Sequence, residues 1–255
     1  MDTRKKKVYL VQINVTYSNT IAYLPYAAGC LAAYAWKDGE IKQNFELADI
    51  LCVRHRVEES LAMIENPSVV GFSCYVWNME YNLRLAEMIK NRYPDCLVVF
   101  GGHNVPDDTS LLEKHTFIDV LMHAEGEEPF ALLLKALAND GDFSAIPDIS
   151  YRKDGEYFTT QKKRIYDVTG YPSPYAERIF DKVLERYPEI TFHATLETNR
   201  GCPYSCAFCD WCFTEKIRLF PMERVKADID WISEHKIPYC YCADANFGIE
   251  KRDIE

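Results

Sequence analysis

A run of cysteines in the last quarter of the sequence carries the strongest chemical signal. Residues 199–212, NRGCPYSCAFCDWC, contain Cys202, Cys206, Cys209 and Cys212. Thiolates this close together along a chain can reach a single metal centre. The pattern fits either a closed site with four protein ligands or a three-ligand site with one open metal corner.

The spacing favours iron–sulfur chemistry over zinc. Structural zinc sites usually combine two separated Cys-x-x-Cys pairs, whereas all four of these cysteines fall in one run. Short gaps of three and two residues are typical of iron–sulfur clusters, and a cluster with three protein ligands leaves one iron free. Spacing alone does not decide whether Cys212 is a fourth ligand.

The composition limits the classes of partner. The chain has 255 residues, a net charge of −10 and 48% hydrophobic residues, which indicates a globular protein and argues against a nucleic-acid partner, since backbone binders need a basic face. The sequence contains no apolar run of about 18 residues and no signal peptide, so we expect no membrane partner and a cytoplasmic protein. Four scattered cysteines in apolar surroundings are predicted to be buried: Cys30, Cys52, Cys74 and Cys96.

Residues 7–138 alternate apolar strand-like runs with helical patterns, which predicts an α/β fold with a parallel sheet covered on both faces. The predicted strands are 8–15, 44–54, 68–77, 96–102 and 118–127, and the predicted helices are 23–38, 57–66, 79–94, 109–115 and 127–140. Ligands of such sheets bind outside the carboxyl ends of the strands, here SCYVWN, GGHNVP and HAEGEE. The sequence has neither a dinucleotide-binding nor a P-loop motif.

The pattern then changes. Residues 146–160 predict a hairpin that turns at Lys153-Asp154-Gly155, and a segment rich in Pro, Gly and Tyr follows. From about residue 190 we predict a strand into the cysteine loop, a helix and a second strand. The expected core residues of this part are Met222, Val225, Ile229 and Ile232 on the helix, with Cys240 and Cys242 on the strand.

The string GCPYSCAFC resembles the Cys-x-x-x-Cys-x-x-Cys signature of the radical S-adenosylmethionine enzymes. The longer strings ETNRGCPYSCAFCDW and YCADANFGIEKRD resemble the cobalamin-dependent branch of that superfamily. The upstream strings GFSCYVWN, VVFGGHNVP, HAEGEEPF and YPSPY are similar to the cobalamin (B12)-binding domain of the same branch. The resemblance covers nearly the whole chain.

This resemblance implies a 4Fe-4S cluster held by Cys202, Cys206 and Cys209, with S-adenosylmethionine on the fourth iron. Phe208, directly before the last of these cysteines, is typical of the family and is expected near the cofactor. Cys212 departs from the pattern, because relatives commonly have glycine there, and it is expected to be a non-ligand. Asp244 is a candidate for contacting the methionine amino group, with loop capping as the alternative.

The resemblance also implies cobalamin contacts at the strand ends. No Asp-x-His-x-x-Gly motif supplies a lower histidine ligand to cobalt. We expect SCYVWN to lie beneath the corrin with Trp77 against the lower cobalt face, core filling being the alternative for Trp77. The glycines after the fourth strand would admit the nucleotide tail, and Glu125 and Gly126 would line the crevice. The predicted cobalamin contacts are Ser73, Trp77, Asn78, Gly101, Gly102, Glu125 and Gly126.

Together these observations predict three parts: a cobalamin-binding Rossmann-like domain at 1–145, a hairpin and linker at 146–189, and the first part of a radical S-adenosylmethionine (β/α) barrel at 190–255, truncated. The resemblance implies a methyltransferase that acts on an unactivated carbon through a 5′-deoxyadenosyl radical and methylcobalamin. It also implies a small-molecule or peptide substrate and an electron donor such as flavodoxin or ferredoxin. No catalytic residue is predicted. The alternatives are a non-catalytic cobalamin- or metal-binding module and a four-cysteine electron carrier.

Overall fold

A seven-stranded sheet organises the first part of the molecule. The computed structural model describes residues 4–14, 20–139, 141–209, 216–248 and 250–253. The strands in these ranges are β1 (Lys6–Val11), β2 (Ile21–Tyr23), β3 (Phe45–Leu51), β4 (Pro67–Ser73), β5 (Leu97–Gly101), β6 (Val120–Met122), β7 (Ile149–Lys153), β8 (Glu156–Thr159), β9 (Thr191–Leu196), β10 (Asn199–Arg200), β11 (Arg218–Leu219) and β12 (Cys240–Cys242). The α-helices are α1 (Tyr26–Ala35), α2 (Gly39–Asn44), α3 (Val57–Ala62), α4 (Met79–Arg92), α5 (Ser110–Lys114), α6 (Glu127–Ala138), α7 (Asp181–Arg186) and α8 (Met222–Glu234).

The seven-stranded sheet has the order β3-β1-β4-β5-β6-β7-β8. Its first five strands are parallel, and β7 and β8 add an antiparallel hairpin. The hairpin turns at Asp154 and Gly155, which both have positive φ (52° and 83°), as a two-residue turn of this kind requires. The predicted α/β class and the predicted hairpin are both confirmed.

Both faces of the parallel strands are buried. On β1, Val8 and Leu10 join one hydrophobic cluster, whereas Tyr9 and Val11 join a second cluster on the opposite face. Successive side chains of a strand point to opposite faces, so a continuous apolar run is what a doubly covered sheet requires. The four scattered cysteines predicted to be buried all lie in these cores.

A second, three-stranded parallel sheet has the order β12-β9-β2. Strand β2 precedes α1 in the chain, yet it pairs with β9 about 170 residues later, with Ile21 opposite Thr191. The short β2 and α2 were not predicted from the sequence. The pairing ties the N-terminal part of the chain to the sheet that leads into the cysteine loop. None of the helices in the described ranges combines the length and apolar character needed to cross a bilayer.

The core assignments near the C-terminus are wrong for Ile229 and Cys240, and Cys242 is only half-buried. Ile229 is 48% exposed, and the buried face of α8 instead includes Arg224, Val225 and Asp228. This face packs polar groups beside aromatic rings, which an apolar-periodicity pattern cannot detect. Cys240 is exposed and Cys242 is half-buried, because β12 lies at the edge of its sheet.

Gly29 allows α1 to pack closely against the segment before α7. A Cβ atom at Gly29 would lie 2.4 Å from Cζ of the fully buried Phe180. We expect Gly29→Ala to lower the free energy of unfolding by roughly 1–3 kcal/mol, since overpacking outweighs the better helix propensity of alanine. Chemical denaturation measures this change. The control is Gly39→Ala at the start of α2, where a Cβ would meet nothing within 4 Å; a loss of stability no larger at Gly29 than at Gly39 would contradict the packing argument.

Asp228 should make stability depend on pH. Burial raises the pKa of this carboxyl from 3.8 to about 6, against the opposing effects of Ser173 and Arg224. The folded state therefore holds the proton more tightly than the unfolded state. The resulting stabilisation is complete below about pH 4 and is lost as the pH rises through about 6.

We expect Asp228→Asn to leave stability at pH 4 nearly unchanged and to raise the free energy of unfolding at pH 8 by roughly 1–3 kcal/mol. Denaturation curves at several pH values between 4 and 8 measure this effect. Asp230→Asn, at an exposed position of the same helix, is the matched control. Equal pH slopes for the wild type and Asp228→Asn would show that burial of Asp228 does not govern the profile.

Candidate functional site: a cavity between two parallel sheets

The carboxyl ends of the two parallel sheets face a common cavity of about 690 Å³. Its wall includes Ser73 at the end of β4, Gly101 at the end of β5 and Met122 at the end of β6. The opposite wall includes Thr195 of β9 and Tyr241 of β12. Open parallel sheets bind ligands at this edge, and here two such edges meet.

Six of the seven residues predicted to contact cobalamin line this cavity. They are Ser73, Trp77, Gly101, Gly102, Glu125 and Gly126. These residues lie at or just after the ends of β4, β5 and β6, which are neighbours in the sheet, so their convergence follows from the topology. Their contact with a ligand stays a prediction.

The loops after β4 and β5 approach each other so closely at position 102 that only glycine fits there. Its φ is +107°, and a Cβ atom there would lie 2.8 Å from the carbonyl oxygen of Cys74. The Cys74 N–H donates to the Gly101 carbonyl (2.7 Å), and the Cys74 carbonyl accepts from the Asn104 N–H (3.1 Å). The two loops therefore form one wall of the cavity through backbone contact.

An aromatic pair presents a flat surface at the cavity. The rings of Tyr75 and Trp77 stack with centroids 4.5 Å apart and an interplanar angle of 5°. His103 lies beside them, its ring centroid 5.7 Å from that of Tyr75. Trp77 is 46% exposed, so it is not a core-filling residue.

Asn78 is the predicted contact that does not line the cavity, and this expectation is corrected. It is buried, its Oδ1 accepts from the Tyr75 N–H (2.8 Å), and its Nδ2 donates to the carbonyls of Ser73 (2.9 Å) and Ile13 (3.1 Å). These hydrogen bonds hold the loop that carries Tyr75 and Trp77. Asn78 therefore supports the cavity wall from behind.

Burial shifts the pKa of two titratable groups at this edge: Cys74, behind the cavity wall, and His123, in the wall. Burial raises the pKa of the Cys74 thiol to about 12, which removes Cys74 as a thiolate ligand. Burial lowers the pKa of His123, with the Asp107 carboxylate opposing the shift, and His123 Nε2 lies 2.8 Å from Ser150 Oγ. His103 and His123 both line the cavity, although nothing in their sequence spacing indicated a shared site.

The cysteine loop follows β10 and lies beside the cavity, with Arg200 and Gly201 in the cavity wall. Cys202 is half-buried, and its Sγ accepts from Asn246 Nδ2 at 2.9 Å; Cys206 and Cys209 are exposed. Within the ranges that the structure describes, no three His, Cys, Asp or Glu side chains lie close enough together to form a metal site. The metal-ligand role of the three cysteines stays a prediction, and Cys212 lies outside the described residues.

Two other predicted cofactor contacts, Phe208 and Asp244, are not among the residues that line the cavity. Phe208 is 93% exposed and does not line the cavity. Asp244 accepts hydrogen bonds from the Thr198 N–H (2.8 Å), the Asn199 N–H (3.2 Å) and Asn199 Nδ2 (3.0 Å). Asp244 therefore joins the loop after β12 to the loop after β9, which is the loop-capping alternative.

Sequence reasoning missed a group of charged residues in the wall. Arg200 contacts three carboxylates, with its Nη2 atom 2.8 Å from Glu127 Oε1 and 3.0 Å from Glu197 Oε2, and its Nη1 atom 3.3 Å from Glu125 Oε2. These carboxylates raise the pKa of Arg200 well above its ordinary value, although burial opposes them. The available signal was Arg200, a charged residue directly before the string GCPYSCAFC. The sequence does not reveal its partners Glu125 and Glu127, because they lie far away along the chain.

Comparison with known proteins agrees with this architecture. Residues 26–134 match the family described as B12 binding domain. The chain is 37% identical, over 98% of its length, to the 2-(S-pantetheinyl)-carbapenam-3-carboxylate methyltransferase of Streptantibioticus cattleyicolor. It is 38% identical, over 99% of its length, to the cobalamin-dependent radical SAM methyltransferase TokK of Streptomyces tokunonensis. The chain spans 37% of the length of each of these relatives.

Solved structures share the fold. The cobalamin-dependent S-adenosylmethionine radical enzyme OxsB superposes with a TM-score of 0.71 at 21% identity, over 96% of this chain and 34% of OxsB. The radical S-adenosylmethionine methyltransferase TsrM of Kitasatospora setae superposes with a TM-score of 0.68 at 17% identity, over 98% of this chain and 49% of TsrM.

The seven-stranded sheet thus resembles a Rossmann-like B12-binding domain, and a smaller parallel sheet follows it in the chain. The chain belongs to the radical S-adenosylmethionine enzymes that contain a cobalamin-binding domain.

Gly102 gives a direct test of the wall geometry. We expect Gly102→Ala to lower the free energy of unfolding by about 2 kcal/mol or more, because the side chain meets both a left-handed backbone conformation and the Cys74 backbone. Chemical denaturation measures the loss. Gly101→Ala is the control, since its nearest new contact is Met122 Cβ at an ordinary 3.4 Å. Similar losses for the two variants would contradict the role assigned to Gly102.

Proposed function

We propose that this chain forms the cofactor-binding part of a cobalamin-dependent radical S-adenosylmethionine methyltransferase. The observation that carries the proposal is the convergence of two parallel-sheet edges on one cavity, with the loop of Cys202, Cys206 and Cys209 directly beside it. Two relatives that match almost the whole chain are themselves named methyltransferases.

Several features of the cavity suit cobalamin. The cavity is open and has a volume of about 690 Å³. The absence of a side chain at Gly102 allows the backbones of two loops to meet in its wall. The stacked rings of Tyr75 and Trp77 offer a flat apolar surface of the kind that packs against a planar macrocycle. We propose that Trp77 packs against the lower face of the corrin and that Gly101 and Gly102 lie along the nucleotide tail.

The donor set of the cysteine loop suits an iron–sulfur cluster. Three thiols fall within eight residues, two of them exposed, and exposed thiols can be deprotonated on binding iron. We propose that Cys202, Cys206 and Cys209 hold a 4Fe-4S cluster with one iron left for S-adenosylmethionine. Asn246 already donates to Cys202 Sγ, and such hydrogen bonds to ligating sulfur tune a cluster.

When bound, the cluster with S-adenosylmethionine supplies a carbon radical and cobalamin supplies a methyl group, which together permit methylation of an unactivated carbon. The chain's own residues bind and orient these groups. Asp244 fixes the segment before the cysteines, and Asn78 fixes the loop that carries the aromatic pair.

The substrate we propose is a small molecule, in keeping with the carbapenam named for one relative. An electron donor such as flavodoxin or ferredoxin would reduce the cluster, and the reducing cytoplasm is the expected compartment. Since the chain spans 37% of the two relatives, we propose that turnover requires segments corresponding to the rest of them.

Cobalamin binding is the first test. We expect corrin absorption to stay with the protein after incubation with hydroxocobalamin and desalting. Trp77→Ala should weaken binding roughly tenfold through loss of the aromatic contact, measured by absorbance titration. Val76→Ala is the control, since Val76 is 80% exposed and does not line the cavity. Desalted wild-type protein without corrin absorption would refute the cobalamin part of the proposal.

The cluster is tested by anaerobic reconstitution with iron and sulfide. We expect about four iron per chain and an EPR spectrum that changes on adding S-adenosylmethionine. Alanine at Cys202, Cys206 or Cys209 should abolish the cluster, whereas Cys212→Ala and the control Cys240→Ala should retain it. Stoichiometric zinc without iron would favour a structural zinc module, and loss of the cluster in Cys212→Ala would favour a four-cysteine electron carrier.

A further inference from the structure

Five charged residues at the edge of the cavity join the seven-stranded sheet to the region of β9, β10 and β11, and we call them the clasp: Glu125, Glu127, Glu197, Arg200 and Arg218. All five line the cavity. Glu125 and Glu127 flank Gly126, in the segment that connects β6 of the seven-stranded sheet to α6. The other three lie on or next to β9, β10 and β11.

Strands β10 and β11 place the two arginines opposite each other. Arg200 and Arg218 are direct partners in this antiparallel pair. Like charges in that position repel, so the pair is stable only if carboxylates lie between or beside the guanidinium groups. Glu125 meets this requirement, because its Oε1 lies 2.6 Å from Arg218 Nη2 and its Oε2 lies 3.3 Å from Arg200 Nη1.

The clasp is shielded from water. Side-chain exposure is 15% for Arg200, 8% for Arg218 and 6% for Glu127. The rings of Tyr171 and Phe220 lie 5.7 and 5.4 Å from the Arg200 guanidinium. A desolvated charge that loses its partner is strongly penalised, so these contacts break only together with a larger rearrangement.

The clasp contacts both candidate cofactor sites. Residues 125–127 form part of the cavity wall, so a ligand that fills the cavity packs against them. Arg200 lies two residues before Cys202, and its guanidinium is held by Glu127 on the wall and by Glu197 on its own side. Arg200 therefore links the cavity wall to the backbone that enters the cysteine loop.

We propose that the clasp couples the two sites, so that occupation of the cavity orders the cysteine loop for cluster assembly. This inference rests on the proposed binding of cobalamin in the cavity. Glu127 and Arg200 act as positioning residues: their ion pair fixes the segment that enters the cysteine loop. Linkage is reciprocal, so an assembled cluster also raises the affinity for cobalamin by the same factor.

Hydrogen exchange of the backbone amides of residues 199–209 tests the coupling. The 255-residue chain is measured with and without saturating hydroxocobalamin. We expect cobalamin to slow exchange in this loop roughly fivefold or more in the wild type, the lower end of typical coupling between sites. Exchange in Glu127→Gln is measured at a hydroxocobalamin concentration that saturates this variant by absorbance titration, and there the slowing should disappear.

Glu128→Gln is the matched control. Glu128 is the adjacent residue, pairs with Lys163 at 2.8 Å and does not line the cavity, so this variant should behave as the wild type. If Glu127→Gln does not fold, Glu127→Asp replaces it, since it keeps the charge but shortens the reach to Arg200.

The outcomes separate this inference from the proposed function. Wild-type protein that binds cobalamin without any slowing of loop exchange overturns the coupling and leaves the proposed function intact. Slowing that persists in Glu127→Gln or Glu127→Asp also overturns it, because the signal would then pass through other contacts such as the β2–β9 pairing. No corrin binding by the wild type refutes the proposed function itself.

Discussion

Arg200 imposes the constraint on which the relation between the two sheets depends. Moving a guanidinium out of water costs several kcal/mol, and the cost is recovered only when carboxylates take up its hydrogen bonds. Glu197 lies three residues away, but Glu125 and Glu127 come from the other sheet, more than 70 residues earlier. Satisfying one buried charge therefore ties the seven-stranded sheet to the strands around the cysteine loop.

The cavity forms where the carboxyl ends of the two parallel sheets come near each other. Parallel strands end at one edge of a sheet, and the loops after β4, β5 and β6 line the cavity at this edge. Backbone contact at Gly102 and the hydrogen bonds of Asn78 make this edge rigid, while the Tyr75–Trp77 stack stays open to the space. Polar support behind the wall and apolar surface in front of it are what a large planar ligand requires.

The cysteine loop is held at its base and open at its tip. Asp244 and Arg200 fix the segment that enters it, whereas Cys206 and Cys209 are exposed. This division suits a loop whose final geometry is set by the metal that it binds, since thiol ligands converge only when an ion or cluster compensates their charge. The tertiary structure supplies the anchor, and the cluster would supply the rest.

The sequence by itself determined the doubly buried strands from continuous apolar runs, the hairpin turn at Asp154 and Gly155, and the set of thiols in the cysteine loop. These depend on neighbouring residues, whose periodicity and backbone preferences are local. Only the tertiary structure decided that β2 pairs with β9, that Asp244 caps a loop, that Asn78 supports the wall, and that α8 buries Asp228 in place of Ile229. The partners of Arg200 were also decided only by the tertiary structure, because a buried charge pairs with the carboxylates that lie near it in space. Two of these partners lie 73 and 75 positions away in the chain, so no local sequence pattern indicates them.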